Sequence, residues 1–254
     1  MKFEKHFPTN QLKPYIQYYV VSENELASEY KVFPTSGLVM GFQYQGQLTC
    51  IEGPQENKLS SAGISGISNG YKIFKNSANI GTILVYFSEI GFRQFAAQPA
   101  HELFNLSISL EDIFDSQDVR EVEEQLSLAS SDLNRIQTVE LFLLSQLKDI
   151  EQDKLIMEAV RLIYQSKGNI RIQELNKKLG ISASPFEKRF RQLVGTSAKK
   201  FASIIRFNSV LDSLEESKSL TEICYENHFF DQAHFIKDFK QFTGDTPEHF
   251  KRFS

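Results

Sequence analysis

The sequence has 254 residues, a hydrophobic fraction of 41% and a formal net charge of −4, which is typical of a globular protein with one large or two ordinary domains. No apolar run approaches the roughly 18 residues that cross a bilayer, and the mixed charges of residues 1–6 argue against a secretory signal, so we expect no membrane contact and a cytoplasmic location. Cys50 and Cys224 are too few for a four-ligand zinc site, and we expect them to be reduced and buried.

Residues 30–88 carry short apolar runs separated by turn signals. The runs lie at 30–33, 38–44, 48–51 and 79–87, and this spacing predicts an antiparallel sheet or barrel. Apolar residues then recur at helical spacing over 116–128 and 133–147, before a short charged segment at 148–153. We therefore predict two coupled domains, residues 1–149 and residues 150–254.

The positive charges are concentrated in the second half. Residues 151–254 contain 17 Lys and Arg against 14 Asp and Glu, and residues 167–206 contain 10 against 2. Attraction to phosphate is local because salt screens it within about 10 Å. The negative total therefore does not exclude nucleic acid as a partner, although a solvated helical surface would show the same charge pattern.

Helices are predicted in the second half at about 153–165, 172–179, 184–194, 198–214, 220–227, 231–242 and 247–251. The second and third of them form a helix-turn-helix, because Gly180 suits a left-handed helix end and Ser182 or Ser184 can cap the next helix. The apolar face that we expect to pack inward contains Phe186, Phe190 and Val194.

The same layout recurs about fifty residues later. Residues 220–224 open a helix as residues 172–176 do, and Phe235 and Phe239 repeat the spacing of Phe186 and Phe190. The segments 191–197 and 240–246 also correspond. This repeat predicts a second helix-turn-helix unit, and helix 198–214 would hold the two recognition helices about one DNA turn apart.

These residues resemble the DNA-binding domain of the AraC/XylS family of transcription regulators. The resemblance rests on residues 182–190, on Gly195 and Arg206, and above all on residues 229–235 and 239–247. Asn176 and Cys224 depart from the family, which usually has Ala there, and His228 stands where the family has Gly in the turn of the second unit. A non-glycine residue with positive φ is mildly strained, so we expect the second unit to dock less securely.

In this fold the N-terminal half of each recognition helix enters the major groove. The matching positions offer as base-contact candidates Ser184, Glu187, Lys188 and Arg191 in the first unit, and Gln232, Ala233, Ile236 and Lys237 in the second. Lys suits guanine and Gln suits adenine. The phosphate-contact candidates are Lys199, Lys200, Arg206 and Lys240. We expect Arg189 to pair with Glu174 or with a phosphate, and Asp231 to favour the start of the second recognition helix.

Residues 1–147 are similar to the cupin-like N-terminal domain of one regulator subfamily, through residues 12–19, 33–37 and 82–92. This likeness implies a barrel that can hold a small ligand, and the candidates for lining it are Tyr18, Phe33, Phe42, Tyr44 and Tyr86. An ordinary apolar core is the alternative for these aromatic residues. A metal cupin needs two or three histidines beside a carboxylate, whereas this half has only His6 and His101, so we expect no metal and no cofactor.

The sequence therefore predicts an α+β protein, with an N-terminal antiparallel β-barrel and flanking helices followed by an all-α domain of two helix-turn-helix units joined by a long helix. We expect a bacterial transcription regulator, not an enzyme, which binds double-stranded promoter DNA and responds to a small-molecule effector. The resemblance implies RNA polymerase as a partner, and helix 133–147 can pair with its copy in a homodimer.

Two alternatives stay open. One is a constitutive DNA-binding regulator whose N-terminal domain serves only protein contacts. The other is an alkyl-transfer DNA-repair enzyme that shares this DNA reader, although such an enzyme needs a reactive cysteine cluster and the chain has two isolated cysteines.

Overall fold

The computed structural model describes residues 1–214, 218–227, 229 and 232–253. The strands are β1 Lys2–His6, β2 Ile16–Asn24, β3 Ser28–Val32, β4 Val39–Gln45, β5 Leu48–Glu52, β6 Gln55–Lys58, β7 Ala62–Ser65, β8 Lys72–Asn76, β9 Ile80–Phe87 and β10 Ser107–Ser109. The α-helices are α1 Ser116–Leu128, α2 Asp132–Gln146, α3 Lys154–Gln165, α4 Ile172–Leu179, α5 Ala183–Val194, α6 Ala198–Leu214, α7 Leu220–Glu226, α8 Gln232–Thr243 and α9 Pro247–Phe253. Short 3-10 helices span Gly91–Gln94, Ala100–Leu103 and Leu110–Asp112.

The strands form antiparallel sheets, as predicted, but the two sheets are not closed into a barrel. One sheet has the strand order β1-β2-β9-β4-β7-β10, and the other has the order β3-β8-β5-β6. Neither ladder continues into the other, because β3 pairs only with β8, and β6 only with β5, in the described part of the chain. Each sheet therefore keeps two free edges, which a barrel would have closed.

Strand β9 of the six-stranded sheet carries apolar residues on both faces, and these two faces pack differently. Along β9, Ile83, Val85 and Phe87 belong to the core that also contains the buried side of α1 and α2. The alternate residues Leu84 and Tyr86 face the four-stranded sheet across a cavity. Side chains alternate between faces with a period of two, so one strand supplies both the domain core and the cavity wall.

Helices α3–α9 enclose a second core, rich in phenylalanine, and they match the predicted helices to within two residues at the ends that the structure describes. Gly180 ends α4 with φ 64°, as predicted for a left-handed helix end. Ser182 occupies the N-cap position of α5 without a capping hydrogen bond from its side chain. Ser219 and Glu222 form a reciprocal capping box at the start of α7.

The two cores meet along a continuous contact between the sheets and the helices. Ile67 follows β7 in the chain but packs in the helical core, and Phe33 places its ring centroid 6.0 Å from that of Phe207 on α6. The predicted domain boundary falls in the irregular segment between α2 and α3. The helical domain is thus packed against the sheets and is not tethered loosely.

Candidate functional site

The first helix-turn-helix unit is built from α4, a short turn and α5. Leu175 of α4 is buried against Phe186 and Phe190 of α5, whose ring centroids lie 5.5 Å apart. This apolar contact fixes how α5 lies on α4 and directs its opposite face to solvent. The helical spacing of Phe186, Phe190 and Val194 predicted this inward face, and the structure confirms it.

The outward face of α5 carries the base-contact candidates of the first unit. Ser184 and Lys188 are exposed, and Lys188 has no ion-pair partner among the described residues. The Nε of Arg191 donates to Oε1 of Glu187 at 2.9 Å, so these two charges largely offset each other. Lys188 therefore supplies the net positive charge of this surface.

Arg189 does not pair with Glu174, contrary to the expectation. Its guanidinium Nη2 donates to Oδ2 of Asp153 at 2.6 Å, while Glu174 pairs with Lys178 at 3.0 Å. Asp153 is also the N-cap of α3, where Oδ1 accepts from two backbone amides. Arg189 consequently fastens α5 to α3, a role that the helical spacing alone did not reveal.

The second unit, formed by α7 and α8, presents a different face. Ala233, Ile236 and Lys237 of α8 are exposed. The Nε2 of Gln232 donates to Oγ1 of Thr221 on α7 at 3.0 Å. The predictions about His228 in the turn and Asp231 at the helix start lie outside the described residues.

The phosphate candidates divide into two pairs. Lys199 and Lys240 are exposed and, within the described ranges, without an ion pair. Lys200 instead donates from Nζ to the backbone oxygen of Asn69 at 2.9 Å, and burial lowers the pKa of its amine. Arg206 donates from Nη2 to Oδ2 of Asp238 at 3.3 Å and is mostly buried. Lys200 and Arg206 thus bind partners within the protein, whereas Lys199 and Lys240 are open to solvent.

A strand of the first domain contacts the end of the second unit. Lys31 at the end of β3 donates from Nζ to Oδ2 of Asp245 at 2.7 Å and to the backbone oxygen of Thr243 at 3.0 Å. A Cβ added to Gly244 would lie 2.6 Å from the ring of Tyr71, so glycine permits this close approach, and its φ of 77° favours glycine as well. The turn between α8 and α9 is thus held by the sheet domain.

A cavity of about 580 Å³ lies between the two sheets. Its apolar wall includes Phe33, Phe74, Leu84, Tyr86 and Ile108. Such a volume and lining are typical of a small-molecule site.

Three of the five predicted pocket residues line the cavity, and two do not. Phe33 and Tyr86 line the cavity. Phe42 lines it as well, and its ring also packs edge-on against Phe142 in the core. Tyr18 and Tyr44 lie outside the lining: Tyr18 stacks on Tyr86, and the hydroxyl of Tyr44 donates to Glu23 at 2.7 Å. Burial is the first cause that raises the pKa of Tyr44, and Glu23 raises it further.

Lys72 lies in the cavity wall and was not among the predicted site residues. Its Nζ donates to Oγ of Ser107 at 3.1 Å, and burial lowers the pKa of the amine. Glu29 on β3 supplies the carboxylate among the described lining residues, and it is exposed. A lysine inside an apolar strand run was the available signal, and only the packing of two sheets shows that it faces the cavity.

Within the part of the chain that the structure describes, no group of three or more His, Cys, Asp and Glu side chains is arranged to hold a metal ion. In that part of the chain, no helix has both the length and the apolar character that crossing a membrane requires. Cys50 and Cys224 are both buried.

Two protein families match the chain. Residues 175–252 match a helix-turn-helix domain family, and residues 4–109 match a domain of unknown function, DUF6597. The first match covers both units described above. Residues 175–252 thus carry a helix-turn-helix domain of the AraC type. The resemblance of residues 182–247 to that family is confirmed.

Two curated relatives illustrate the extent of the sequence similarity. The Msm operon regulatory protein of Streptococcus mutans is 30% identical over 118 residues, which are 45% of this chain and 42% of that protein. An uncharacterized HTH-type transcriptional regulator of Staphylococcus aureus is 29% identical over 84 residues, which are 33% of this chain and 11% of that protein. The chain thus spans less than half the length of these relatives.

The arrangement of the whole chain has a counterpart among solved structures. ToxT from Vibrio cholerae superposes with a TM-score of 0.50 and 11% sequence identity, over 92% of this chain and 97% of that one. A structure of an apo ToxT variant gives a TM-score of 0.50 with 12% identity, over 97% and 98% of the two chains. At this identity the likeness concerns the fold, a sheet domain followed by a helical domain.

Proposed function

We propose that this protein is a transcription regulator that binds double-stranded promoter DNA through α5 and α8, and that a small ligand in the sheet domain controls this binding. The proposal rests on the positive charge of the outward faces of the two recognition helices. Lys188 and Lys237 are exposed there, whereas Phe186 and Phe235 fix the opposite faces in the core. A basic, polar face on a packed helix of this fold is suited to the major groove.

Strand β3 supports control by a ligand, because it serves both the cavity and the DNA-binding domain. Lys31 and Phe33 line the cavity. Lys31 also pairs with Asp245, and the ring centroid of Phe33 lies 5.7 Å from that of Phe250 on α9. A ligand that displaces β3 therefore changes the contacts that hold the second unit. Such a ligand has different affinities for the two arrangements of the protein and shifts the equilibrium between them.

The lining favours a ligand with an apolar body and an anionic group. The walls are largely apolar, and Lys31, Lys58 and Lys72 line the cavity together with the exposed Glu29. An anion beside the half-buried ammonium of Lys72 would offset the cost of its burial.

Two matched probes test the ligand proposal in the full chain: 4-tert-butylbenzoate and 4-tert-butylbenzyl alcohol. We expect the carboxylate to raise the melting temperature more than the alcohol, and Lys72→Gln to remove that difference. Leu84→Trp fills the cavity and should abolish both shifts, whereas Leu128→Trp at the exposed end of α1 serves as the control. Equal shifts in wild type and Leu84→Trp would contradict binding in the cavity.

Selection of bound duplexes from random DNA tests the DNA proposal. We expect the full chain to enrich a site with two separate conserved blocks, one for each unit. If DNA is bound but no ligand changes the affinity, the protein is the constitutive regulator of the alternative interpretation. Failure to enrich any sequence would refute the proposed function.

The remaining partners are proposals as well. The outer face of α2 carries the exposed Leu133 and Leu141 on either side of Gln137. In an antiparallel homodimer, Leu133 of one copy would lie opposite Leu141 of the other. Light scattering of Leu141→Glu tests this homodimer. The family resemblance supports RNA polymerase as a partner and the cytoplasm as the compartment. The burial of Cys50 and Cys224 supports a regulator in preference to a thiol-dependent repair enzyme.

A further inference from the structure

The recognition helix of the second unit differs in chemistry from that of the first. Gln232, Ala233, Ile236, Lys237 and Lys240 recur at helical spacing and are exposed on one face of α8. The opposite face, with Phe235 and Phe239, is buried. The carboxylate of Asp238 points away from this surface toward Arg206.

Ile236 is the unusual member of this face. Its exposed fraction is 42%. Among the described residues of α5 and α8, no other large apolar side chain is exposed. The apolar group that the major groove offers is the C5 methyl of thymine. Contact with that methyl would remove Ile236 from water on binding.

Gln232 lies one helical turn before Ile236, and its amide is already oriented. One N–H of Nε2 donates to Oγ1 of Thr221 at 3.0 Å. The second N–H and Oε1 make no hydrogen bond to the described residues and remain for a ligand. A donor and an acceptor side by side match N7 and the N6 amino group of adenine.

We propose that the second unit reads A·T pairs, with Gln232 on an adenine and Ile236 on a thymine methyl. This inference rests on the proposed function, since it requires α8 to lie in the major groove. The four-residue separation corresponds to about 6 Å along the helix axis. At about 3.4 Å per base-pair step, the two contacts fall about two base pairs apart. Thr221 is a positioning residue for Gln232.

Atom-by-atom changes in the DNA test each contact. A duplex obtained by selection with the full chain is remade with uracil in place of single thymines, which removes only the methyl. We expect about fourfold weaker binding by fluorescence anisotropy at one thymine of the second block, the effect of one buried methyl. Ile236→Ala should bind the thymine and uracil duplexes equally. Met157→Ala, which truncates an apolar residue of α3 with an exposed fraction of 43%, should keep the wild-type sensitivity.

Replacing single adenines by 7-deazaadenine removes the N7 acceptor and tests Gln232 in the same way. Wild type should lose affinity at one adenine, and Gln232→Ala should not. Thr221→Val should weaken the discrimination between adenine and 7-deazaadenine but keep the sensitivity to uracil. A general distortion of α8 would instead abolish both effects.

The outcomes separate this inference from the proposed function. A chain that selects a specific site but is equally insensitive to uracil and to 7-deazaadenine overturns A·T reading and leaves DNA-binding regulation intact. Uracil sensitivity that persists in Ile236→Ala overturns the assignment of that residue. A chain that selects no site overturns the proposed function and this inference with it.

Discussion

Lys188 provides the sharpest test of how the first unit recognises DNA. It is exposed on α5 and, in the described part of the chain, without an ion pair. Next to it, Glu187 and Arg191 pair with each other at 2.9 Å. Removing the Lys188 charge should therefore leave the folded state almost unchanged, with an effect on unfolding free energy of about 0.5 kcal/mol or less. The same substitution, Lys188→Ala, should weaken binding to the selected site by about 1–3 kcal/mol and relax the preference at one base pair.

The assay compares the selected duplex with a shuffled duplex of the same composition over a series of salt concentrations. A base contact predicts a loss that is larger for the selected duplex and leaves the salt dependence nearly unchanged. A phosphate contact predicts an equal loss for both duplexes and a decrease of about 1 in the salt slope. Lys13→Ala, which removes an exposed charge from the first domain, controls for the change in net charge. Unchanged site preference in Lys188→Ala would refute the assignment.

Three further predictions concern the scaffold of the site. Phe190→Ala removes a fully buried ring from the helical core and should cost about 3–5 kcal/mol of unfolding free energy, seen as a lower denaturant midpoint together with loss of DNA binding. The hydrogen bond from Lys31 holds the pKa of Asp245 below its usual value of 3.8. This pair therefore stabilises the fold at neutral pH and loses its effect as the pH falls through that depressed pKa. The difference in melting temperature between wild type and Asp245→Asn should shrink below about pH 4. Tyr164→Phe removes the hydrogen bond that the hydroxyl donates to Glu89 at 2.5 Å and should destabilise the protein by about 1 kcal/mol in chemical denaturation, whereas equal stability would show that the bond has no net effect.

The helical domain could be predicted closely because its signals are local. Leu175, Phe186 and Phe190 recur with the period of a helix, and Gly180 marks a helix end by its backbone freedom. The repeat of this pattern around Phe235 indicated the second unit. These features depend on residues within a few turns of one another, so they are visible in the sequence.

The sheet domain was predicted less well because its strand partners are distant in the chain. The runs of strand residues were recognisable, but nothing local shows that β3 pairs with β8 and leaves the larger sheet open. The cavity lining depends on this pairing. Tyr18 and Tyr44 therefore lie outside the cavity, and Lys72, which attracted no attention in the sequence, lies in its wall.

The sequence by itself determined the helices, the repeated unit and the faces of α5 and α8, because helical periodicity assigns each side chain to the core or to solvent. Only the tertiary structure decided which charges remain available. All four phosphate-contact candidates are basic residues that look alike in the sequence. Lys200 and Arg206 nevertheless bind Asn69 and Asp238, whereas Lys199 and Lys240 are exposed. Those partners are 131 and 32 residues away along the chain, and such contacts arise from packing between elements, which a local pattern does not encode.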